Sequence, residues 1–208
     1  RAGPAGAGHA VSGIAGLTCG PVTLRPPLSG DATDRLRAGY SPEYVRLCGG
    51  MPDPAATFGP EQARLWYEQV CREPYGWCIE VQGSCIGHAR LHSLDLENRR
   101  ARYAIGIFLP AAWGHGYGTI TTLLILGYAF EDLRLHRVDL RVLGTNTRAI
   151  ACYEWCGFRK EGIDREGAWI EGTWHSDVMM SILEQEYRPQ NDSVGPADAP
   201  HCPSQLRT

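Results

Sequence analysis

Hydrophobic and polar residues alternate in several short stretches of the chain, which is the pattern of strands that bury one face. Each stretch ends at glycine, proline or a polar turn; the run VTLR at 22–25, for example, stops at two prolines. The pattern predicts strands over 22–25, 77–81, 84–92, 98–109, 137–143 and 158–160, and over 168–183 as one long strand or a hairpin. The three strands between 77 and 109 follow one another through short polar turns, which favours an antiparallel meander.

Four other segments show helical spacing of their apolar residues, namely 31–39, 60–71, 119–133 and 146–156. In the second of these, Pro60 suits the first helical position, and the apolar residues that follow recur at helical intervals. Strands in succession, followed by strands and helices in alternation, predict an α/β (α+β) layer architecture. We expect a central mixed sheet, mostly antiparallel, of about six to seven strands flanked by about four helices.

The segment pattern indicates one domain with a tail at each end. Residues 1–20 are rich in glycine and alanine, and residues 189–208 are polar and rich in proline. Both compositions are typical of flexible tails, so the folded domain is predicted over 21–188.

Composition then excludes several classes of protein. The chain has 208 residues with 20 basic and 23 acidic side chains, and a net charge of −3 disfavours a nucleic-acid partner bound by bulk charge. No apolar run approaches the roughly 18–20 residues of a membrane span. The eight cysteines include no CxxC pair, which predicts reduced thiols in a cytoplasmic protein. Cys152 and Cys156 share a helix face but lack two further ligands, so we expect core thiols and no metal.

The segment WGHGYGT at 113–119 lies between a predicted strand and a predicted helix. Its glycines allow a ligand to approach the main chain, and a helix N-terminus offers unpaired N–H groups to phosphate. A tight turn without a ligand explains such a loop equally well. The loop lacks the lysine of a P-loop, and the preceding meander does not fit a Rossmann fold.

Further motifs follow in a fixed order along the chain. They are the strings TLRP at 23–26, IGIFL at 105–109, the glycine loop, NTRAI at 146–150, Tyr153-Glu154, Gly157-Phe158 and WHSD at 174–177. Together, from about residue 22 to 183, the sequence resembles the GNAT superfamily of acetyl-CoA-dependent N-acetyltransferases. It is most similar to the branch with ribosomal-protein, polyamine and antibiotic acetyltransferases.

The resemblance implies a set of residues that bind acetyl-CoA. The glycine loop would hold the pyrophosphate, the strand at 105–108 would pair with the pantetheine arm, and the main-chain N–H of Ile107 would polarise the thioester carbonyl. The implied residues are Ile105, Ile107, Phe108, Trp113, Gly114, His115, Gly116, Tyr117, Gly118, Thr119 and Asn146. For His115 exposure to solvent is an equal alternative, and Asn146 also suits a helix N-cap.

Two positions depart from the family pattern. Trp113 replaces the leading Gln or Arg of the loop, a substitution common in this branch, and Ala104 stands where many relatives carry a glutamate base. Tyr153 resembles the family's general acid for the departing thiolate, the alternative being an ordinary buried tyrosine. The base stays open between a water chain and six side chains: Glu43, His88, His92, Asp95, His175 and Asp177.

The acceptor side is the least defined part of the prediction. Three tryptophans, Trp66, Trp169 and Trp174, fall where the family builds its acceptor pocket. The candidate acceptor-binding residues are Glu43, Trp66, His88, Trp169, Trp174 and Asp177. Aromatic walls with acidic groups suit a cation, so we expect an aminoglycoside-type antibiotic or a polyamine, acetylated on a primary amine by direct attack. The alternatives are a protein N-terminus as acceptor, or a non-catalytic CoA-binding module. A homodimer is expected by analogy alone.

Overall fold

One eight-stranded sheet forms the centre of the computed structural model, which describes residue 14, residues 16–53 and residues 55–189. Its strands are β1 (Leu17–Cys19), β2 (Val22–Arg25), β3 (Gly76–Val81), β4 (Ser84–Asp95), β5 (Arg100–Ile107), β6 (Arg137–Leu143), β7 (Arg159–Ile170) and β8 (Thr173–Leu183). The spatial order is β1-β2-β3-β4-β5-β6-β8-β7. All neighbours are antiparallel except β5 and β6, which are parallel.

Five α-helices cover the two faces of this sheet within the described residues. They are α1 (Asp31–Ala38), α2 (Pro42–Leu47), α3 (Pro60–Cys71), α4 (Tyr117–Gly127) and α5 (Thr147–Trp155). On one face, Trp66 of α3 packs edge-on against Phe108, which follows β5. On the other face, Tyr103 of β5 is hydrogen-bonded to Thr122 of α4. Side chains alternate along β5, so its even-numbered residues face α1–α3 and its odd-numbered residues face α4 and α5.

Local chemistry explains where several helices begin. Ser41 Oγ accepts a hydrogen bond of 3.1 Å from the N–H of Tyr44, and Pro42 occupies the first position of α2. Pro60 plays the same part in α3. At α5, the side chain of Asn146 accepts from the N–H of Ala149 at 3.2 Å, as its predicted capping role requires.

The core consists of two clusters separated by the sheet. The larger one lies beneath α4 and α5 and includes Trp77, Leu91, Ile125, Leu126 and Met180, all almost fully buried. The smaller one lies beneath α3 and is built from Val70, Cys78, Cys85 and Phe108. Burial of this apolar surface on both faces stabilises the sheet without any disulfide, since all seven cysteines in the described residues are free.

The predicted fold class is confirmed, with differences in detail. The described sheet has eight strands rather than six or seven, because the short strand β1 lies inside the segment predicted as a tail. The helix predicted over 119–133 is α4 followed by a π-helical turn at Tyr128–Asp132. Residues 1–13, 15 and 190–208, which hold most of the two predicted tails, lie outside the described residues.

In the described part of the chain, no helix combines the length and the apolar character needed to cross a membrane.

Candidate active site

The parallel strands β5 and β6 separate soon after they meet. They are paired only over three residues, Arg100–Arg102 against Arg137–Asp139. Beyond that point β5 stays paired with β4 as far as Ile107, and β6 stays paired with β8 as far as Leu143. The second half of β5 therefore borders an opening in the sheet instead of a neighbouring strand.

Main-chain polar groups of β5 point into this opening. The N–H of Phe108 is bonded to the carbonyl oxygen of Ile86 on the β4 side, at 3.0 Å. Hydrogen-bonding direction alternates along a strand, so Ile105 and Ile107 direct their N–H and C=O groups away from β4. The carbonyl oxygen of Ile107 accepts a bond of 2.8 Å from Trp113 Nε1, which agrees with that direction.

The predicted glycine loop closes the end of the same opening. Gly114 and Gly116 have φ angles of +79° and +78°, a region that favours glycine, and no atom lies within 4 Å of a Cβ built on either. The first main-chain bond of α4 runs from the N–H of Ile120 to the carbonyl oxygen of Gly116, so the amides of the three preceding residues have no helical acceptor. These free amides at a helix N-terminus form a cradle for an anion.

A cavity of about 310 Å³ joins these parts. It is lined by the end of β5, by the glycine loop, by the first residues of α4, by α5, and by Tyr44, Leu47 and Cys48 around α2. Among these described lining residues, Arg148 is the one basic side chain, and none is a carboxylate. The Arg148 guanidinium stacks over the indole of Trp113 at 4.4 Å from the ring centroid. An arginine with no carboxylate partner in the described part of the chain, beside a cradle of free amides, fits the phosphates of a nucleotide-like cofactor.

The structure divides the residues predicted to bind the cofactor into two groups. Those that line the cavity are Ile105, Ile107, Trp113, Gly114, Gly116, Tyr117, Gly118, Thr119 and Asn146. The other two do not line it. His115 is exposed and turned back on the loop, where its Nδ1 lies 3.0 Å from the Trp113 carbonyl oxygen. Phe108 is buried in the smaller core cluster, with its N–H already bonded.

Tyr153 reaches the cavity from α5. Its side chain is 9% exposed and packs edge-on against Tyr103 and Phe158. Burial, together with the nearby thiols of Cys152 and Cys156, raises the pKa of Tyr153 well above its usual range. The hydroxyl therefore stays protonated at neutral pH, and among the described residues it has no hydrogen-bond partner.

Cys152 brings a thiol to the same cavity. Its Sγ lies 3.2 Å from Thr119 Oγ1, close to the cradle of free amides. The neighbouring thiol of Cys156, followed by the hydroxyls of Thr119 and Thr122, lowers the pKa of Cys152 to about 7 against the effect of burial. Cys152 is thus partly ionised at neutral pH.

Several lining residues were missed by sequence reasoning, among them Arg148 of α5 and Tyr44 of α2. Tyr44 of α2 points at the middle of the opening, and its hydroxyl oxygen lies only 2.5 Å from the position of a Cβ built on Gly106. The signal for α2 is present as Ser41-Pro42, a cap residue followed by a first-turn proline. Nothing in the sequence indicates that this short helix lies against β5.

Several predicted acceptor residues lie outside the cavity lining. Glu43 is exposed on the first turn of α2. Asp177 is buried, but its carboxylate is paired with Arg141 at 2.5 Å. Trp169 and Trp174 are exposed near the tip of the β7–β8 hairpin, with ring centroids 4.9 Å apart. A bidentate ion pair between Arg46 and Glu171 connects that hairpin to α2.

The candidate bases are scattered over the fold. Asp95 bonds to Asn98 at the far end of β4, roughly 24 Å along the sheet from Ile107. His92 is bonded to Ser93, and His175 lies on the β7–β8 hairpin opposite Ala168. His88 is the strand partner of Gly106, which places it closest to the opening.

His88 and Trp66 contact each other beneath α3. Their ring centroids are 5.9 Å apart, and His88 Nδ1 and Trp66 Nε1 are buried without a hydrogen-bond partner in the described residues. Burial and the charges of Arg90 and Arg35 lower the pKa of His88 to about 4, so its imidazole is neutral at neutral pH.

Possible metal ligands lie together at one place in the described structure. Donor atoms of Asp31, Cys78 and Cys85 are within 4.8 Å of one another, and all three residues are buried. The carboxylate of Asp31 is already bonded to the guanidinium of Arg25 and to the N–H of Leu28. This cluster therefore holds α1 against the sheet.

Comparison with known proteins agrees with this geometry. Residues 22–159 match the family model of the acetyltransferase (GNAT) domain. The chain is 36% identical over 106 residues to YdaF of Bacillus subtilis, whose name places it among ribosomal N-acetyltransferases, and 32% identical over 108 residues to a spermidine N(1)-acetyltransferase of Vibrio cholerae. The matches cover 50% and 52% of this chain and 57% and 62% of those proteins, so the chain spans about three-fifths of these curated relatives.

Solved structures show the same fold over a larger share of the chain. A Vibrio cholerae spermidine N-acetyltransferase in complex with CoA and spermine superposes with a TM-score of 0.68, at 25% identity, over 80% of this chain and 98% of that one. The family model spans more than half of the chain. The protein therefore belongs to the GNAT acetyltransferase family, whose members use acetyl-CoA.

Proposed function

We propose that the protein is an acetyl-CoA-dependent N-acetyltransferase that modifies a primary amine of a small molecule. The observation that carries this proposal is the opening between β5 and β6, which is faced by free strand polar groups on one side and ends at the amides of the glycine loop. When bound, acetyl-CoA supplies an activated acetyl thioester.

The lining residues support separate tasks in binding. The amides before Ile120 and the guanidinium of Arg148 suit the phosphates. The N–H groups of Ile105 and Ile107 and the C=O group of Ile105 suit an extended arm lying along β5, in the manner of an added strand. The N–H of Ile107 would then donate to the thioester carbonyl and stabilise negative charge on its oxygen.

Tyr153 is proposed as the proton donor for the departing sulfur. Its raised pKa keeps the hydroxyl protonated, and the lack of a partner among the described residues leaves this O–H free to donate. Deprotonation of the amine is assigned to water, because the described lining has no carboxylate and position 104 is alanine.

The acceptor is proposed only as far as a small molecule with a primary amine. Names of relatives include spermidine acetyltransferases, which favours a polyamine or another cationic acceptor. The described cavity, however, offers Arg148 and no acidic group to such a cation. A peptide N-terminus is the second candidate, favoured by the similarity to YdaF. The cytoplasmic location and the homodimer stay predictions.

The proposal is tested by calorimetry with CoA and acetyl-CoA, followed by a free-thiol release assay. The assay panel contains polyamines, aminoglycosides, free amino acids and short peptides with free N-termini. We expect micromolar binding of the cofactor and amine-dependent thiol release with at least one class. Binding without turnover on any amine would instead indicate a non-catalytic CoA-binding protein, and no binding at millimolar cofactor would contradict the proposal altogether.

A further inference from the structure

Arg35 is a buried cation on the face of the sheet that α1–α3 cover. Its side chain comes from the last turn of α1 and is only 6% exposed. The guanidinium carbon lies 3.5 Å from the ring centroid of Phe58 and 4.9 Å from that of Phe108. Contact with aromatic faces offsets part of the cost of burying this charge.

No carboxylate neutralises Arg35 within the described residues. The guanidinium donates one hydrogen bond of 2.7 Å, from Nη1 to the carbonyl oxygen of Gly39. Other half-buried arginines on this face are paired, Arg25 with Asp31 and Arg90 with Glu73. Burial lowers the pKa of Arg35, as expected for a charge that lacks a partner. A buried arginine of this kind calls for an anion from outside the described chain.

Two further polar atoms without partners in the described residues lie nearby, one on Trp66, which contacts Phe108, and one on His88, which contacts Trp66. Trp66 packs on Phe108 with centroids 5.4 Å apart, and His88 packs on Trp66. Trp66 Nε1 and His88 Nδ1 are both buried and unbonded in the described structure. Indole and guanidinium groups only donate hydrogen bonds, and a neutral imidazole can donate through Nδ1. Apart from the bond from Arg35 to the Gly39 carbonyl oxygen, these donors have no acceptor among the described residues.

The donor cluster adjoins the place where acetyl transfer is proposed. Arg35 lies 5.9 Å from the ring centroid of Tyr44, whose hydroxyl reaches Gly106 on the free half of β5. His88 is paired with Gly106 from the β4 side. The cluster therefore lies on the face of the sheet opposite α4 and α5, next to Tyr44 of the cavity lining.

We propose that the acceptor carries a carboxylate close to its amine, and that Arg35, with Trp66 Nε1, binds this carboxylate. Arg35 then determines the class of acceptor, because it selects amino acids and their peptide-like derivatives over polyamines. The inference rests on the transferase function proposed above. It explains why a cationic side chain without a carboxylate partner in the described residues is buried next to Tyr44, which lines the cavity.

The test compares acceptors that differ only in the carboxylate. Lysine is paired with cadaverine, ornithine with putrescine, arginine with agmatine and phenylalanine with phenethylamine, in the free-thiol release assay at saturating acetyl-CoA. We expect kcat/KM to be at least tenfold higher for the acid of the best pair, mainly through KM, as a charge-assisted bond predicts. Equal or better turnover of the carboxylate-free partners overturns the inference and leaves the transferase intact.

Variants separate binding from folding. Arg35→Met is expected to lower kcat/KM for the acid about 10- to 100-fold while leaving the matched amine unchanged. Arg35→Lys keeps the charge without the planar guanidinium, so its kcat/KM for the acid is expected to fall less than that of Arg35→Met. It also provides a second variant if Arg35→Met does not fold. Trp66→Phe should lower kcat/KM a few-fold for the acid and leave kcat/KM for the matched amine unchanged. Arg37→Met, on the exposed side of α1, is the matched control and should change nothing.

The outcomes are distinguishable from failure of the proposed function. CoA binding is measured for every variant, because Arg35 lies outside the described cavity lining. An equal loss for acid and amine in Arg35→Met and Arg35→Lys would show a structural role and overturn the inference, with a water molecule as the remaining partner of the cluster. Cofactor binding without turnover of any acceptor would contradict the transferase proposal, and the carboxylate inference would fall with it.

Discussion

The indole N–H of Trp113 donates a hydrogen bond of 2.8 Å to the carbonyl oxygen of Ile107. This bond fixes the glycine loop to the last residue of β5, so that free strand groups and free helix amides border one cavity. The same indole supports the guanidinium of Arg148 on its face. Trp113 departs from the Gln or Arg of the family pattern, and these two contacts give that departure a structural role.

Gly116→Ala tests the anion cradle. The φ of +78° makes any other residue costly by about 1–2 kcal/mol, and the added methyl would point into open space at the cavity. We expect CoA affinity to fall at least tenfold in calorimetry. Gly83→Ala is the control, because Gly83 has a φ of +76° and open space around it, in the β3–β4 turn away from the cavity. Equal CoA affinity in the two variants would show that the cradle binds nothing.

Tyr153→Phe tests the proton donor. Loss of the hydroxyl should lower kcat about 100-fold or more and leave CoA affinity unchanged, since general acids contribute at this scale. Because the pKa of Tyr153 is raised, its hydroxyl stays protonated up to and beyond pH 10. Titration of Tyr153 should therefore cause no decrease in wild-type kcat below that pH. Tyr187→Phe, which removes an exposed bond to Glu131, is the control. Unchanged turnover in Tyr153→Phe would remove Tyr153 from this role.

Asn146 has two proposed roles, capping of α5 and contact with the cofactor, that substitutions can separate. Asn146→Ala removes the N-cap of α5 and should lower the free energy of unfolding by about 1 kcal/mol in a denaturant titration. Asn146→Ser keeps a capping oxygen and should restore most of that stability. If CoA affinity stays low in Asn146→Ser, the amide also contacts the cofactor; if affinity recovers with stability, capping is its whole role.

Cys152 is expected to be the most reactive thiol of the cavity. Its pKa of about 7 predicts that alkylation by iodoacetamide, followed by peptide mass spectrometry, rises to half its maximal rate near pH 7. Acetyl-CoA should protect it, because the thiol lines the proposed binding cavity. Cys156→Ala removes the main group that stabilises the thiolate and should slow alkylation at pH 7. A midpoint near pH 9, or no protection, would contradict this assignment.

The central fold could be predicted because its periodicity is strong. The bounds of β2, α3 and β6 agree with the predicted ones, since each combines regular spacing with a clear stop signal. The long edge strand β7 was predicted only at its two ends. Nearly all of its residues are exposed, so its sequence shows no alternation that would reveal a strand.

The candidate site could be predicted on the cofactor side and much less on the acceptor side. Glycine spacing and the Asn146 cap are local signals, and they mark residues that line the cavity. Arg35 and Tyr44 meet β5 only through tertiary packing, which no local pattern encodes. Asp177 looked free in the sequence, but its partner Arg141 lies 36 positions away.

The short contact between β5 and β6 divides the sheet into two blocks, strands β1–β5 and strands β6–β8, that share three residue pairs. Protons on the amides of Ile105 and Ile107 should accordingly exchange rapidly with deuterium in the free protein, although both residues belong to a central strand. A molecule lying along β5 would shield those protons and clamp the two blocks together. Slowed exchange at these positions on addition of CoA would report occupancy of the opening even where no acceptor is known.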